Sequence, residues 1–491
     1  MISISENEEG FKKTVSVAYI LAILAQISEI LFFFVLYKFF SVEVVGFFGW
    51  AMAIATFFSF SLDLGLSQTL IRGFSQAQLD LKRVAISSFV LRLPIIIAAL
   101  IVFQVWLVYY DPPREQCWMV FWVGMIQILI MGERICQSWL RANSRQITAN
   151  IIAMLGSIGR LGAALILIYF LNVLSVMYLF IAIFFVHIMI FPSALFVTYY
   201  GYCKVSMATS FNLLEIKATI EKLWVPSLIF ALIGFFSVIQ NRLDWLMVSG
   251  FVSKIELANY SLANKGYEVI LMFIGVALIT AYPWMCKDNP SQSFQTRLNA
   301  YLNLVICLGV TCSLVAALYM PATLEFLWGA KYEAANTMVQ LLMLGAAFSV
   351  ISGVLYHLLI SKRLEKKILP VTIIATGFQI LFNSIFIPKL GGFGATIGML
   401  TLIVVTTVGL FWVVHREKIM TFSQLNRLLV FLVIMLLLAG VFWIHNISMV
   451  FGIFTLFVLG FMSMYFILIT SGEKKLLFVL VRNYFNGIRK I

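Results

Sequence analysis

Charge is what this chain lacks most. Only 11% of its 491 residues are Asp, Glu, Lys or Arg, against about a quarter in a typical soluble domain. Acidic side chains are the scarcer kind, 21 against 34 basic ones. Long polar stretches are missing too: the most polar connection, residues 198–223, is too short to form a soluble domain. The six cysteines (Cys117, Cys136, Cys203, Cys286, Cys307, Cys312) form no CxxC pair, which excludes a metal ribbon or a dithiol redox motif. HExxH, GxSxG, Walker and dinucleotide-binding sequences are absent as well. Nothing therefore points to a metalloprotease, a serine hydrolase or a nucleotide-driven pump.

What the chain does have is apolar surface. Hydrophobic residues make up 62% of it and mean hydropathy is +1.01. One aqueous core cannot hide that fraction, so the solvent for most of the chain is lipid. An aromatic share of 15%, including 45 Phe, fits lipid-facing surface better than a catalytic cleft. The expected class is an all-α polytopic membrane protein.

A membrane-crossing helix needs about 20 mostly apolar residues. Fourteen such runs lie near 14–36, 44–66, 84–108, 118–139, 149–171, 173–197, 224–247, 257–281, 301–320, 336–360, 370–387, 392–414, 425–444 and 448–470. The first follows acidic Glu6, Glu8 and Glu9 and has no small-residue cleavage site, so it reads as a span rather than a signal peptide. With a cytoplasmic N-terminus, 25 of the 34 basic residues fall on the cytoplasmic side, 5 on the other and 4 within spans. That bias, kept in step across every alternation, places both termini in the cytoplasm. It also accounts for the net charge of +13 without nucleic acid.

The polar connection suggests a division into an N-terminal lobe (1–200, helices 1–6), a cytoplasmic linker (201–222), a C-terminal lobe (223–415, helices 7–12) and an accessory part (416–491) holding helices 13 and 14 with a basic tail. Within the linker, residues 211–222 read as an amphipathic helix on the membrane surface. The two lobes open with related phrases, FFSVEVVGFFGWAMAIATFF and VSGFVSKIELANYSLANKGYEVI, which place Gly46 and Ala258 alike. Internal repeats of transporters take this form, as does chance similarity between apolar helices.

Four stretches carry a family resemblance. They are VGFFGWAMAIATFFSFSLDLGLSQTLIR (45–72, with Asp63, Gly65 and Arg72), NYSLANKGYEVILMFIGVALITAYPWM (from Asn259, with Pro283), LEFLWGAKYEAANTMVQLLML (324–344), and SKRLEKK followed by NSIFIPKLGGFGATIGML (383–400). In order and spacing the chain resembles the O-antigen and exopolysaccharide flippases of the multidrug, oligosaccharidyl-lipid and polysaccharide exporter superfamily. The resemblance implies two six-helix lobes related by pseudo-two-fold symmetry, a central cavity and alternating access. It marks Asp63, Gly65 and Arg72 as a signature at a cytoplasmic gate.

Ionisable groups within spans are the functional signal, because each costs several kcal/mol in lipid unless it meets a cavity or a partner, on the order of 3 kcal/mol at least. Arg160 stands near the middle of the fifth span. Gly156, Gly159 and Gly162 on its own helix, with Gly132 on the preceding one, allow close packing around it. Arg92 precedes the kink expected at Pro94. Arg242 and Asp244 sit toward the outer end of the seventh span, and Lys265 and Glu268 share a face of the eighth. Guanidinium groups bind phosphate in a bidentate way and stay charged, which suits a lipid-linked pyrophosphate. Arg160, Arg92, Arg242 and Lys265 are accordingly the candidate phosphate-binding residues. Gln68, Gln127, Gln240, Asn241, Asn264, Tyr267 and Gln379 are available for sugars. Glu29, Glu268 and Asp244 are the candidates for proton or sodium coupling, and no cofactor or metal is implied. The competing structural reading pairs Arg160 with Glu29 or Glu133, lets Arg242 with Asp244 and Lys265 with Glu268 neutralise each other, and makes His187 and His357 packing hydrogen bonds.

The reading is a non-enzymatic flippase of the bacterial inner membrane. It would carry an undecaprenyl-pyrophosphate-linked oligosaccharide to the outer leaflet, alongside polysaccharide polymerase machinery. Alternatives in the same superfamily are a cation-coupled multidrug exporter and a peptidoglycan-precursor flippase. A cationic drug would favour a carboxylate-lined cavity, which the basic residues here oppose. A membrane enzyme would call for larger outer loops or a carboxylate–metal site.

Overall fold

Lipid supplies no partner for a backbone N–H or C=O, so a spanning segment must satisfy its own as a helix. The computed structural model is helical almost throughout the residues the structure describes: 4–63, 114–142, 145–171, 175–203, 213–285, 292–420, 422–444 and 449–468. In chain order the helices are α1 (Ile4–Phe39), α2 (Val42–Asp63), α3 (Arg114–Ala142), α4 (Gln146–Leu165), α5 (Val176–Cys203), α6 (Leu213–Phe251) and α7 (Lys254–Met285). They continue with α8 (Gln292–Trp328), α9 (Asn336–Ser361), α10 (Glu365–Arg416), α11 (Phe422–Ile444) and α12 (Met449–Ser463). Every expected span that falls on described residues coincides with a helix; the run near 84–108 lies outside them. The chain is a polytopic all-α membrane protein. Residues 213–222 of the expected surface helix are the first turns of the continuous α6, joined without a break to the following span.

The longest helix shows how the sequence punctuates such runs. Residues Glu365–Arg416 number 52, far more than one crossing requires. They are two helices meeting at Gly391, whose φ of 55° and ψ of −129° lie in a region that L side chains avoid. Pro388, lacking an N–H, ends the first helix just before this point. Past the turn the helices nearly touch, and a Cβ on Gly394 would lie 2.3 Å from the Phe386 carbonyl oxygen.

The chain forms two compact units, Met1–Ser261 and Leu262–Ile491, with the boundary inside α7. In the first, α1 packs along α4, α3 along α5, and α2 against α3 and α6. The two related phrases meet here with the same local geometry. Each helix ends, two residues intervene, and a serine caps the next helix: Ser41 Oγ accepts from Val44 N–H at 3.4 Å, Ser253 Oγ from Glu256 N–H at 3.3 Å. Gly46 sits against the Lys254 backbone, where a Cβ would lie 2.1 Å from the carbonyl oxygen. Tyr37 and Ser261 share a buried 2.8 Å hydrogen bond between the ends of α1 and the start of α7.

The second unit has a core built from α7 to α11, including Leu278, Val310, Val350, Leu355, Val414 and Phe431. The accessory helix α11 enters it through one stripe, Leu428, Phe431, Leu432, Met435 and Ala439, all buried. Its opposite face, with Leu429, Val433 and Leu437, is exposed and apolar, as a lipid-facing surface must be. Gly460 of α12 seats against Thr311 of α8, and Gly452 against Tyr319. The last helices are thus packed onto α8 rather than standing apart from the unit.

Candidate functional site

Arg160 reaches a partner on the neighbouring helix. Its Nη2 lies 2.6 Å from Oε2 of Glu29 on α1, each side chain being 20% exposed. The same nitrogen donates to Ser157 Oγ at 3.4 Å, one turn back on α4. Arg160 Nε is buried and has no hydrogen-bond partner among the described residues. Leaving a buried donor unmet costs about 1–3 kcal/mol, so this edge of the guanidinium is where an added acceptor gains most.

The pair borders a cavity within the first unit. Four phenylalanines form much of its wall, Phe32 and Phe33 from α1, Phe48 from α2 and Phe180 from α5, and Gln127 of α3 adds an amide. Phe48 and Phe180 stack with centroids 5.4 Å apart and planes 9° apart. Glu29 and Arg160 are the ionisable side chains on the lining. The cavity offers about 30 Å³ of room for the centres of water molecules, enough for one or two waters. In this conformation it is a water-sized pocket around an ion pair, too small for a phosphate with its sugar.

Of the two partners expected for Arg160, the geometry selects Glu29. Glu133 is engaged elsewhere: its Oε1 lies 2.9 Å from His187 Nδ1, joining α3 to α5 with both residues buried. His187 Nε2 is buried without a hydrogen-bond partner among the described residues. The expected close packing is built by three of the four glycines. A Cβ on Gly132 would lie 2.3 Å from the Phe191 ring, one on Gly159 2.4 Å from Val186, and one on Gly156 3.5 Å from His187. Gly162 differs, since a Cβ there would meet nothing within 4 Å.

The other candidates are dispersed. Asp244 on α6 is fully buried and accepts hydrogen bonds from the Tyr260 hydroxyl and from the Trp245 backbone N–H. The Arg242 guanidinium lies over the Trp245 ring, 4.9 Å from its centroid. Lys265 and Glu268, in the second unit, form the expected i,i+3 contact at 2.5 Å. Asp63 is the last residue of α2; Gly65, Gln68, Arg72 and Arg92 lie outside the described residues. Of the sugar-binding candidates, Gln127 lines the cavity, Asn241 donates to the Ser237 carbonyl, Tyr267 bonds Ser349 at 2.8 Å and Gln379 is buried beside Met399. His357 bonds the Gly353 carbonyl at 2.8 Å, a packing role. Among the described residues no group of three His, Cys, Asp or Glu side chains is placed to hold a metal ion.

The Glu133–His187 contact is the polar centre that sequence reasoning missed. Both residues sit in expected spans, which is a signal, but they stand 54 positions apart and no spacing rule joins them.

No protein-family model and no curated protein matches the chain. Solved structures do. The lipid II flippase MurJ in an inward closed conformation superposes with a TM-score of 0.67 at 14% identity, over 93% of this chain and 99% of that one. An inward-facing multidrug-resistance MATE transporter gives 0.55 at 17% identity, over 84% and 95%. A transporter from Pyrococcus furiosus, described as having a binding pocket of reversed polarity, gives 0.55 at 16% identity, over 84% and 96%. The chain shares the fold of these members of the multidrug, oligosaccharidyl-lipid and polysaccharide exporter superfamily.

Proposed function

We propose that this protein is a flippase that moves an undecaprenyl-pyrophosphate-linked oligosaccharide from the cytoplasmic to the outer leaflet of the bacterial inner membrane by alternating access. The observation that carries the proposal is Arg160: a guanidinium in a water-sized cavity, lined by aromatic rings, with one donor edge unfilled. Such a group suits a phosphate oxygen and opposes a cationic drug. In this reading Glu29 is the resident anion on Arg160, and the substrate phosphate takes its place as the cavity widens. Glu29 then becomes the carboxylate free to bind a proton or sodium ion, with Glu268 and Asp244 as further coupling candidates. Arg92, Arg242 and Lys265 are the further candidates for phosphate contacts during the cycle. Asp63, Gly65 and Arg72 would act at a cytoplasmic gate. A polysaccharide polymerase would receive the delivered unit.

A second reading shares the polyprenyl pyrophosphate and changes the headgroup: a peptidoglycan-precursor flippase, favoured by the fold likeness to MurJ over nearly the full length of both chains. Complementation separates the two. Expression in a strain lacking its polysaccharide flippase is expected to restore surface polymer in the wild type and not in Arg160→Ala. Rescue of a strain lacking its lipid II flippase, with no polymer restored in the first strain, would shift the assignment to the second reading.

A further inference from the structure

Two turns of the second unit place cations where the backbone favours glycine. α9 ends at Ser361 and α10 at Arg416, and both endings close with the same pair of hydrogen bonds. Leu364 N–H reaches back to the Leu359 carbonyl at 3.0 Å, and Ile419 N–H to the Val414 carbonyl at 3.2 Å. Within each loop a second bond forms, Arg363 N–H to the Ile360 carbonyl at 3.0 Å and Lys418 N–H to the His415 carbonyl at 3.1 Å. This ending holds its central residue in left-handed backbone, the usual place of glycine because an L side chain is strained there. Here that residue is Arg363, with φ 60°, and Lys418, with φ 53°. The residues that follow, Leu364 and Ile419, pack on the core of the unit and anchor both turns.

Helix ends account for part of this charge. Arg363 and Lys418 follow helix C-termini, where the dipole favours a cation. Lys366 sits in the first turn of α10, where the dipole opposes one. Lys362, Arg363, Lys366, Arg416 and Lys418 are all exposed, and among the described residues none of the five has an ion-pair partner. Lys367 does have one: its Nζ donates to Glu417 Oε1, which ties the first turn to the second. Glu365, the other acidic residue of these turns, is buried. The surface therefore presents concentrated positive charge on two rigid, linked turns.

The charge begins where the apolar exposed surface stops. Val404, Val408 and Trp412 follow one another at four-residue spacing on α10, the last two 63% and 59% exposed. Four residues further on is Arg416, its guanidinium over the Trp412 ring at 5.2 Å from the centroid. On the first leg of α10 the exposed face through Leu381, Ile374 and Pro370 ends at Lys366 in the same way. An exposed apolar face of a membrane protein meets acyl chains, and tryptophan marks the level of the headgroups. The cations just beyond it stand level with lipid phosphates.

We propose that turns 362–367 and 416–418 form a docking surface for an anionic glycerophospholipid, its phosphate held by Arg363, Lys366, Arg416 and Lys418 and its acyl chains along the Val408–Trp412 stripe. Charge alone would suit any phosphate. The adjoining apolar stripe is what selects a lipid over a free anion. The surface lies in the second unit and the Arg160 cavity in the first, so this inference does not rest on the proposed function.

The left-handed backbone supplies a clean test, because glycine removes each charge and fits the turn. Phosphatidylglycerol and phosphatidylcholine binding to the full-length protein are measured by native mass spectrometry, and thermal unfolding in nanodiscs of phosphatidylcholine alone or mixed with phosphatidylglycerol. The wild type should prefer phosphatidylglycerol and unfold at higher temperature in its presence. Arg363→Gly combined with Lys418→Gly should weaken phosphatidylglycerol binding by roughly 10- to 30-fold, the scale of two cations at a membrane surface. In phosphatidylcholine alone this variant should unfold no earlier than the wild type. Arg363→Gln with Lys418→Gln, which keeps the turns as they are, should lose the same affinity and decides the matter if the glycine variant does not fold. Lys331→Gln, at the opposite end of α9, should leave the affinity unchanged. Equal phosphatidylglycerol binding in all these proteins would overturn the proposal. So would a fall in unfolding temperature that is the same in both lipids, which would reduce the cations to helix-end charges. Inorganic phosphate protecting the wild type as well as phosphatidylglycerol does would make the surface a free-anion site and remove the lipid.

Discussion

The Arg160 guanidinium lies 2.6 Å from the Glu29 carboxylate, so the cation best placed to meet a phosphate is neutralised by the protein's own anion. Under the proposed function, a substrate phosphate competes with that carboxylate. Neutralising Glu29 should therefore tighten anion binding while impairing the cycle that depends on the exchange. With Glu29→Gln, pyrophosphate-lipid binding is expected to strengthen about fivefold or more, the scale of a 1 kcal/mol charge contact, while polymer restored in complementation falls. Equal binding in both proteins would show that the pair does not restrain the guanidinium.

The glycines around Arg160 give a paired prediction on stability. Gly132→Ala and Gly159→Ala place a methyl within 2.4 Å of Phe191 or Val186 atoms. Each is expected to cost about 1–3 kcal/mol, the usual penalty of overpacking. Gly162→Ala points into open space and is expected to stay within about 0.5 kcal/mol of the wild type. Unfolding midpoints of the purified proteins in one detergent check the contrast.

At the Pro388–Gly391 break, Gly391→Ala forces an L side chain to adopt φ 55° and ψ −129°. The expected cost is about 1–3 kcal/mol. Gly377→Ala, in open space within the same helix, is the matched control and should be neutral or slightly stabilising. Thermal denaturation followed by helical circular dichroism separates the two.

Asp244 depends on a tyrosine. Tyr260→Phe removes the hydroxyl that donates to this fully buried carboxylate, with little change in shape. A loss of about 1–3 kcal/mol in stability is expected. Tyr267→Phe, which removes one side of a neutral hydroxyl pair with Ser349, should cost less, about 1 kcal/mol.

The helices were legible because lipid leaves the chain one option and apolar runs near the bilayer thickness declare themselves. The break near Gly391 was legible for the same local reason, Pro388 followed by a glycine pair. Which side of a helix meets a neighbour was not. Lipid accepts apolar residues on every face, so α11 hides its buried stripe of Phe431 and Met435 among equally apolar exposed neighbours. Gly159 and Gly162 look equivalent in sequence, yet one rests on Val186 and the other on nothing. Arg160 was recognisable as a charge in a span, while its choice of Glu29 over Glu133 followed from His187, brought to Glu133 by the packing of α5 on α3.

The most direct measurement is the affinity of the full-length protein in nanodiscs for undecaprenyl pyrophosphate, comparing wild type with Arg160→Ala and Arg160→Lys. A charged hydrogen bond contributes about 1.5–3 kcal/mol, so Arg160→Ala should weaken binding by roughly 10- to 150-fold. Arg160→Lys, which keeps the charge but loses the two-pronged geometry, should recover part of that loss. Unchanged affinity in Arg160→Ala would contradict the account and leave Arg160 and Glu29 as a strut between α1 and α4.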